Sequence, residues 1–235
     1  MANLLSFGLN ILADAFYPKY CLGCKRSGSY LCKFCIDQVS VLERTFCVVC
    51  NKVSPNGFTH ATCQTTYAPD RLICALDYRD SIVSDMIITG KYYFILEMFA
   101  ILGALTAHTL LQHHITFPEE ELASFVVCSI PLHKTRLRWR GFNQTEITGK
   151  IIAQAFDLRY AEILVRNKNT KTQKDLKSKD RQTNIANAFA CQYQPAKKII
   201  LIDDVTTTGQ TFLEACRVLK QNGAKEVWCV SIAKD

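Results

Sequence analysis

Residues able to do chemistry concentrate in two places. Between Cys21 and Cys63, seven cysteines and one histidine fall into four pairs: Cys21-x2-Cys24, Cys32-x2-Cys35, Cys47-x2-Cys50 and His60-x2-Cys63. Two intervening residues let one tight turn aim both side chains at a single ion. Four thiolates, or three with an imidazole, complete a tetrahedral zinc site. The pairs provide for two structural zincs, or for one if His60 is solvated and Cys63 buried. Neighbouring pairs are expected to share an ion, because the seven residues between Cys24 and Cys32 suit a short hairpin. Gly23 stands in the first knuckle, where a tight turn needs a small residue. A closed four-ligand site leaves no open position for substrate, so the metal is expected to be structural. Its binding would supply folding energy that so short a segment lacks.

The second place is near the carboxyl end. Lys197-Lys198 and four aliphatic residues lead into Asp203-Asp204-Val205, then Thr206, Thr207, Thr208, Gly209, Gln210 and Thr211. This reads as a buried strand, two acids, a hydroxyl-rich turn and the start of a helix. A helix amino terminus presents unbonded N–H groups and a partial positive charge, so it attracts anions. The threonines add hydroxyl donors, and Gly209 admits close backbone approach. The Lys of a Walker loop is missing, so nucleoside triphosphate hydrolysis is not indicated. Two acids beside an anion site make sense if they face hydroxyls or a metal ion, and a ligand with a ribose diol, a phosphate and magnesium meets both demands. A receiver-type magnesium site needs a further Asp on a later strand, and after Asp204 only the terminal Asp235 follows. A simple N-cap does not require three threonines and a glycine.

These residues need a frame. The spacing predicts strands over Leu72–Tyr78, Phe125–Ile130, Ile163–Val165, Ile199–Ile202 and Val227–Ile232. Helices are predicted over the long apolar stretch Ile82–Leu111, from Gln144 to Ala155 and from Gln210 to Gln221, with a basic loop from Pro131 onward. Continuous apolar runs such as Phe125–Ile130 mark strands buried on both faces. Strands alternating with helices give an α/β class with a mostly parallel sheet, whose ligands bind beyond the strands' carboxyl ends. A Cys-rich module over residues 1–66 would precede this body over residues 67–235. Five cysteines outside the pairs (Cys74, Cys128, Cys191, Cys216, Cys229) sit singly among apolar neighbours and are expected in the core.

The formal charge is +7, but it is local. Pro131–Arg181 holds thirteen Lys and Arg against five Asp and Glu, leaving fifteen against sixteen elsewhere. The basic segment therefore has a job of its own. The chain lacks a long charge-free apolar run, so no membrane span is expected. Met1–Tyr17 carries no basic residue and contains Asp14, so it reads as a short amphipathic helix packing on the protein rather than a secretory signal. A cytoplasmic protein is expected, and in a reducing compartment paired cysteines point to metal rather than disulfides.

The run Ile199-Ile200-Leu201-Ile202-Asp203-Asp204-Val205-Thr206-Thr207-Thr208-Gly209-Gln210-Thr211 resembles the phosphoribosyl-pyrophosphate (PRPP) signature of type I phosphoribosyltransferases. With the Cys-rich front, the chain resembles the ComF/GntX (ComFC) family of competence-associated proteins. The match also rests on Ile130-Pro131-Leu132-His133-Lys134, Arg136 and Arg140-Gly141-Phe142-Asn143-Gln144. Arg166, Thr170, Gln173, Leu176, Arg181, Asn184 and Ala188-Phe189 complete it. His60 departs from the family's usual Cys, and Ile130 from its usual Val. The resemblance implies a zinc ribbon ahead of a type I phosphoribosyltransferase fold that binds PRPP with magnesium. Asp203 and Asp204 would hold the ribose hydroxyls and Thr206 to Thr211 the 5′-phosphate, with Val205 between them also among the PRPP-binding residues. Pro131, Leu132, His133 and Lys134 with Arg136 would face pyrophosphate, making Lys134, Arg136 and the two acids the catalytic candidates. Lys171–Arg181 would be a mobile hood. Displacing pyrophosphate builds oxocarbenium character and leaving-group charge, which cations and magnesium stabilise while hood closure excludes water.

The same basic segment also suits single-stranded DNA. Arg136, Arg138, Trp139 and Arg140 interleave cations with an aromatic ring, and Lys171 and Lys174 extend the surface. The family's link to natural transformation implies a role with incoming single-stranded DNA, and a competence helicase or other DNA-uptake protein as partner on the zinc module. The alternative is an active transferase on an unidentified base or nucleotide acceptor, with no DNA contact.

Overall fold

The computed structural model describes residues 18–112, 124–169 and 185–235. The expected helix over Met1–Tyr17 and the hood over Lys171–Arg181, with Lys171 and Lys174, lie outside these residues. Among the described residues the front holds a one-turn helix, α1 (Lys33–Ile36), and two 3-10 turns (Pro55–Gly57 and Ala61–Cys63) among knuckles and short bridges. The body alternates β1 (Arg71–Asp77), α2 (Ser81–Tyr92), α3 (Leu96–Gln112), β2 (Phe125–Ser129), α4 (Lys134–Arg140), α5 (Gln144–Ala155) and β3 (Arg159–Tyr160). Then come β4 (Leu164–Arg166), β5 (Phe189–Cys191), β6 (Lys198–Thr206), α6 (Gln210–Gln221) and β7 (Glu226–Lys234).

Five strands form a sheet in the order β1-β7-β6-β2-β3, with every pairing parallel. Alternating side chains supply two core faces, as the strand period of two requires. Val126, Cys128, Ile199, Leu201, Val227 and Cys229 join Phe212 and Leu219 of α6 on one face. Phe125, Val127, Ile200, Ile202 and Val230 join Leu110 of α3 and Ile152 of α5 on the other. Cys74, Cys128, Cys216 and Cys229 are buried as expected, and Cys191 is half-buried against the same core.

Several expectations are corrected. The long apolar stretch is two helices: α2 ends at Tyr92, and Phe94 adopts φ 60, which a helix cannot continue through. The basic loop contains α4, which starts at His133, whose ring Nδ1 accepts from the Thr135 N–H, and stops at Gly141 with φ 81. The strand expected over Ile163–Val165 is β4, which pairs antiparallel with β5 outside the main sheet; β3 takes the fifth place. β6 runs four residues past Ile202, because β7 is long enough to pair with it as far as Thr206. The acids therefore lie on the strand's carboxyl end rather than after it. Among the described residues, no helix is long and apolar enough to cross a membrane.

Candidate functional site

The paired cysteines assemble as neighbours. The donor atoms of Cys21, Cys24, Cys32 and Cys35 lie within 4.8 Å of one another, and so do those of Cys47, Cys50, His60 and Cys63. Both sets fit zinc on donor chemistry. Burial pushes the Cys21 thiol up, but backbone N–H groups of Cys24, Cys32 and Gly23 converge on its sulfur and bring it down to about 6. A turn that solvates a thiolate in this way is ready for a cation. In the second set His60 Nδ1 faces Cys50 Sγ at 3.4 Å, while Nε2 lies 3.2 Å from the Val53 carbonyl oxygen. A carbonyl only accepts, so Nε2 carries the proton and Nδ1 keeps the lone pair a metal needs. Gly23 has a different role from the one expected: a Cβ there would sit 2.7 Å from Cys35 Sγ, so its small size admits the fourth ligand.

A cleft of about 430 Å³ opens beyond the carboxyl ends of β1, β2, β6 and β7, and Asp203, Asp204, Val205, Thr207 and Thr211 line one side. The two acids have unlike surroundings. Asp204 is buried; its Oδ2 lies 2.7 Å from Lys91 Nζ and accepts from Gln144 Nε2, and its Oδ1 accepts from the Val205 N–H. Burial pushes its carboxyl up, but Lys91 and these bonds outweigh that and hold it below the usual range. Asp203 accepts from the Asp204 N–H at 2.9 Å. Burial, and then the adjacent Asp204 charge, push Asp203 up to about 7.

Below the acids, Gly209 caps α6 with φ 72 and no side-chain bond, so the first turn of an amphipathic helix points at the loop Thr206–Gly209. Its amide groups have no intrahelical acceptor and constitute the anion-attracting end. The opposite wall comes from α4 and β4. Leu132, Arg136, Trp139, Arg140 and Arg166 reach the cleft, whereas Pro131, Leu132 and Lys134 border a second depression on the far side of their loop. His133 caps α4. Arg136 thus joins the acids in one cleft and Lys134 does not. Arg140 is buried, with Nη1 donating to Gln144 Oε1 at 2.6 Å, so it belongs to the cleft lining rather than to an open face. Arg138 and Trp139 are exposed, and Trp139 meets Phe94 edge-on at 5.0 Å.

Sequence reasoning missed Lys91 and the aromatic wall formed with Tyr78 and Tyr92, and it named Arg166 only within the family match, with no place in the site. Lys91 left a signal, being the sole Lys or Arg between Ile82 and Leu111. Burial, followed by repulsion from Arg136, lowers the Arg166 guanidinium to about 10. Crowded cations of this kind are relieved by an anion between them.

Comparison with known proteins agrees with this anatomy. A phosphoribosyl transferase domain family matches residues 146–235, and a double zinc ribbon domain family matches residues 12–67. Competence protein F of Haemophilus influenzae is 31% identical over 127 residues, covering 52% of this chain and 53% of the relative. The DNA utilization protein YhgH of Escherichia coli O6:H1 is 33% identical over 108 residues, covering 44% and 48%. The chain thus spans about half the length of the curated relatives it matches. A purine phosphoribosyltransferase structure from Pyrococcus horikoshii aligns at 12% identity over 59% of this chain and 83% of that one, with a TM-score of 0.32. The chain carries a type I phosphoribosyltransferase-like fold with a parallel sheet, behind a Cys-rich double zinc ribbon.

Proposed function

We propose that the cleft binds PRPP with magnesium, and that the protein uses it while handling incoming single-stranded DNA in natural transformation. One observation carries the reading: a carboxylate pair, Asp204 buried and Asp203 half-buried, and a helix amino terminus lie on one side of a cleft whose other side is cationic. Asp203 and Asp204 suit the ribose hydroxyls, which donate to carboxylates. Thr206 to Thr211 suit the 5′-phosphate, and Arg136 with Arg166 suits pyrophosphate. Magnesium would neutralise leaving-group charge, with Asp203 the residue facing it. The chain's own part is to fix the sugar between acids and loop and to stabilise departing pyrophosphate with guanidinium groups. The exposed Arg138 and Trp139 suit a passing strand, one by charge and the other by stacking. A second reading, transfer to a base or nucleotide acceptor, draws on the aromatic wall of Tyr78, Tyr92 and Trp139, which suits a planar ring.

Calorimetric titration of PRPP with and without magnesium tests the first reading. Binding that needs magnesium and is lost in Asp203→Asn with Asp204→Asn is expected; no heat with wild-type protein sinks it. Single-strand binding should fall with salt and weaken in Arg138→Ala with Trp139→Ala. Unchanged binding would remove that surface from the DNA path.

A further inference from the structure

The second zinc knuckle lies directly against the loop beside the acids. Val48, between Cys47 and Cys50, is 2% exposed and shares a buried cluster with Phe212 in the first turn of α6. A Cβ at Gly209 would sit 2.8 Å from the Val48 carbonyl oxygen and 3.0 Å from its Cγ2. Next to it, Lys234 at the end of β7 bridges the two segments. Its ammonium lies 5.0 Å from the Phe46 ring centroid and donates to the Thr207 carbonyl oxygen at 3.3 Å. Residues 46–48 therefore form a floor under Thr207–Gly209.

That floor is one side of a chelate turn. The Asn51 N–H donates to the Cys47 carbonyl oxygen at 2.9 Å, and Asn51 takes φ 57, so the turn from Cys47 to Asn51 is tight. A metal held by Cys47 and Cys50 would fix the height of Val48, and hence of the left-handed Gly209 packed against it. Loops that bind anions through backbone N–H groups depend on such preorganisation, because misplacement by an ångström forfeits the bonds. The first cluster lies elsewhere: a Cβ at Gly23 would meet Cys35 and Ile82 of α2.

We propose that the knuckle Cys47–Cys50 is a positioning element for the anion loop, with Val48 the residue that sets Gly209, so that anion affinity depends on metal at the second cluster. The ligand half of this rests on the reading of Thr206–Thr211 as the 5′-phosphate loop; the positioning half does not.

The test uses the full chain loaded with zinc, comparing wild type, Val48→Ala, Val48→Ile and Cys63→Ser. Amide hydrogen exchange is followed over residues 203–211 without ligand, and ribose 5-phosphate is titrated calorimetrically. Val48→Ala is expected to speed exchange at 206–209 while β2 exchange and zinc content stay at wild-type values. It should also weaken ribose 5-phosphate by about tenfold. Val48→Ile, which refills the floor, should return both to near wild type. Cys63→Ser should reproduce the loss with one zinc fewer. Unchanged exchange in Val48→Ala overturns the proposal, and faster exchange with unchanged affinity overturns the coupling to ligand. If wild type binds no ribose 5-phosphate, the phosphate-loop reading fails and the exchange arm alone decides the positioning role.

Discussion

Asp203 and Asp204 are adjacent in sequence and opposite in state. Asp204 is fixed by Lys91 and Gln144, whereas Asp203 is pushed up to about 7 by burial and by its neighbour's charge. An acid raised on folding holds a proton that the unfolded chain has already released. Its favourable contribution is therefore complete at low pH and is lost as pH rises from about 4 to about 7. In ligand-free protein, Asp203→Asn should flatten that slope and raise stability at pH 8 by on the order of 1 kcal/mol, read from urea denaturation at several pH values. An unchanged slope would place the shift elsewhere. Lys91→Met should cost about 3 kcal/mol, because it leaves a buried carboxylate without its counter-charge. Adding Asp204→Asn should recover most of that loss in a double-mutant cycle, and strict additivity would show the pair uncoupled. The acids were legible from their own sequence neighbours. Lys91 was less so: it lies more than a hundred residues away, and only folding brings α2 over the end of β6.

Elements show where sequence reasoning failed and why. α5 and α6 match their predicted bounds because both carry clear ends: Asn143 caps one, and Gly209 and Gly223 flank the other. α4 was hidden by its charge. Four of its seven residues are Lys or Arg, which masks the capping signal of His133 and the stop at Gly141. Two glycines now distinguish local strain from packing. Gly141 has φ 81 with open space around its missing Cβ, so Gly141→Ala should cost about 1 kcal/mol through backbone strain alone. Gly209 has φ 72 with the Val48 carbonyl oxygen in the way, so Gly209→Ala should cost about 2 kcal/mol or more. Equal losses in thermal unfolding would show that the zinc knuckle does not press on the loop.

For the whole molecule, the zinc front doubles as cover for a sheet edge. β1 is an edge strand of the sheet, and two pieces of the front pair with it: Val41 bridges Leu76, and Phe58 bridges Arg71. Arg71 is buried, donates to the Asn56 carbonyl oxygen, and lies 4.9 Å from the Phe58 ring centroid and 4.8 Å from that of Trp228. An open strand edge templates association with other chains. Removal of residues 1–66, or of zinc by a strong chelator, should therefore expose β1 and give aggregates by size-exclusion chromatography. A monodisperse, folded body after either treatment would contradict this. The Cys-rich front was readable from the Cys spacing, but its interlock with β1 was not, because Gly57 and Arg71 look ordinary until Leu72 and Trp228 are placed against them.

The most direct measurement of the central claim is a crystal structure of the full chain grown with PRPP and magnesium. The expected result places the 5′-phosphate within hydrogen-bonding distance of the backbone N–H groups at Thr207–Gly209, with the ribose hydroxyls on Asp203 and Asp204. A ligand bound along the outer face at Lys134 and Arg138, with the Thr206–Thr211 loop untouched, would contradict it.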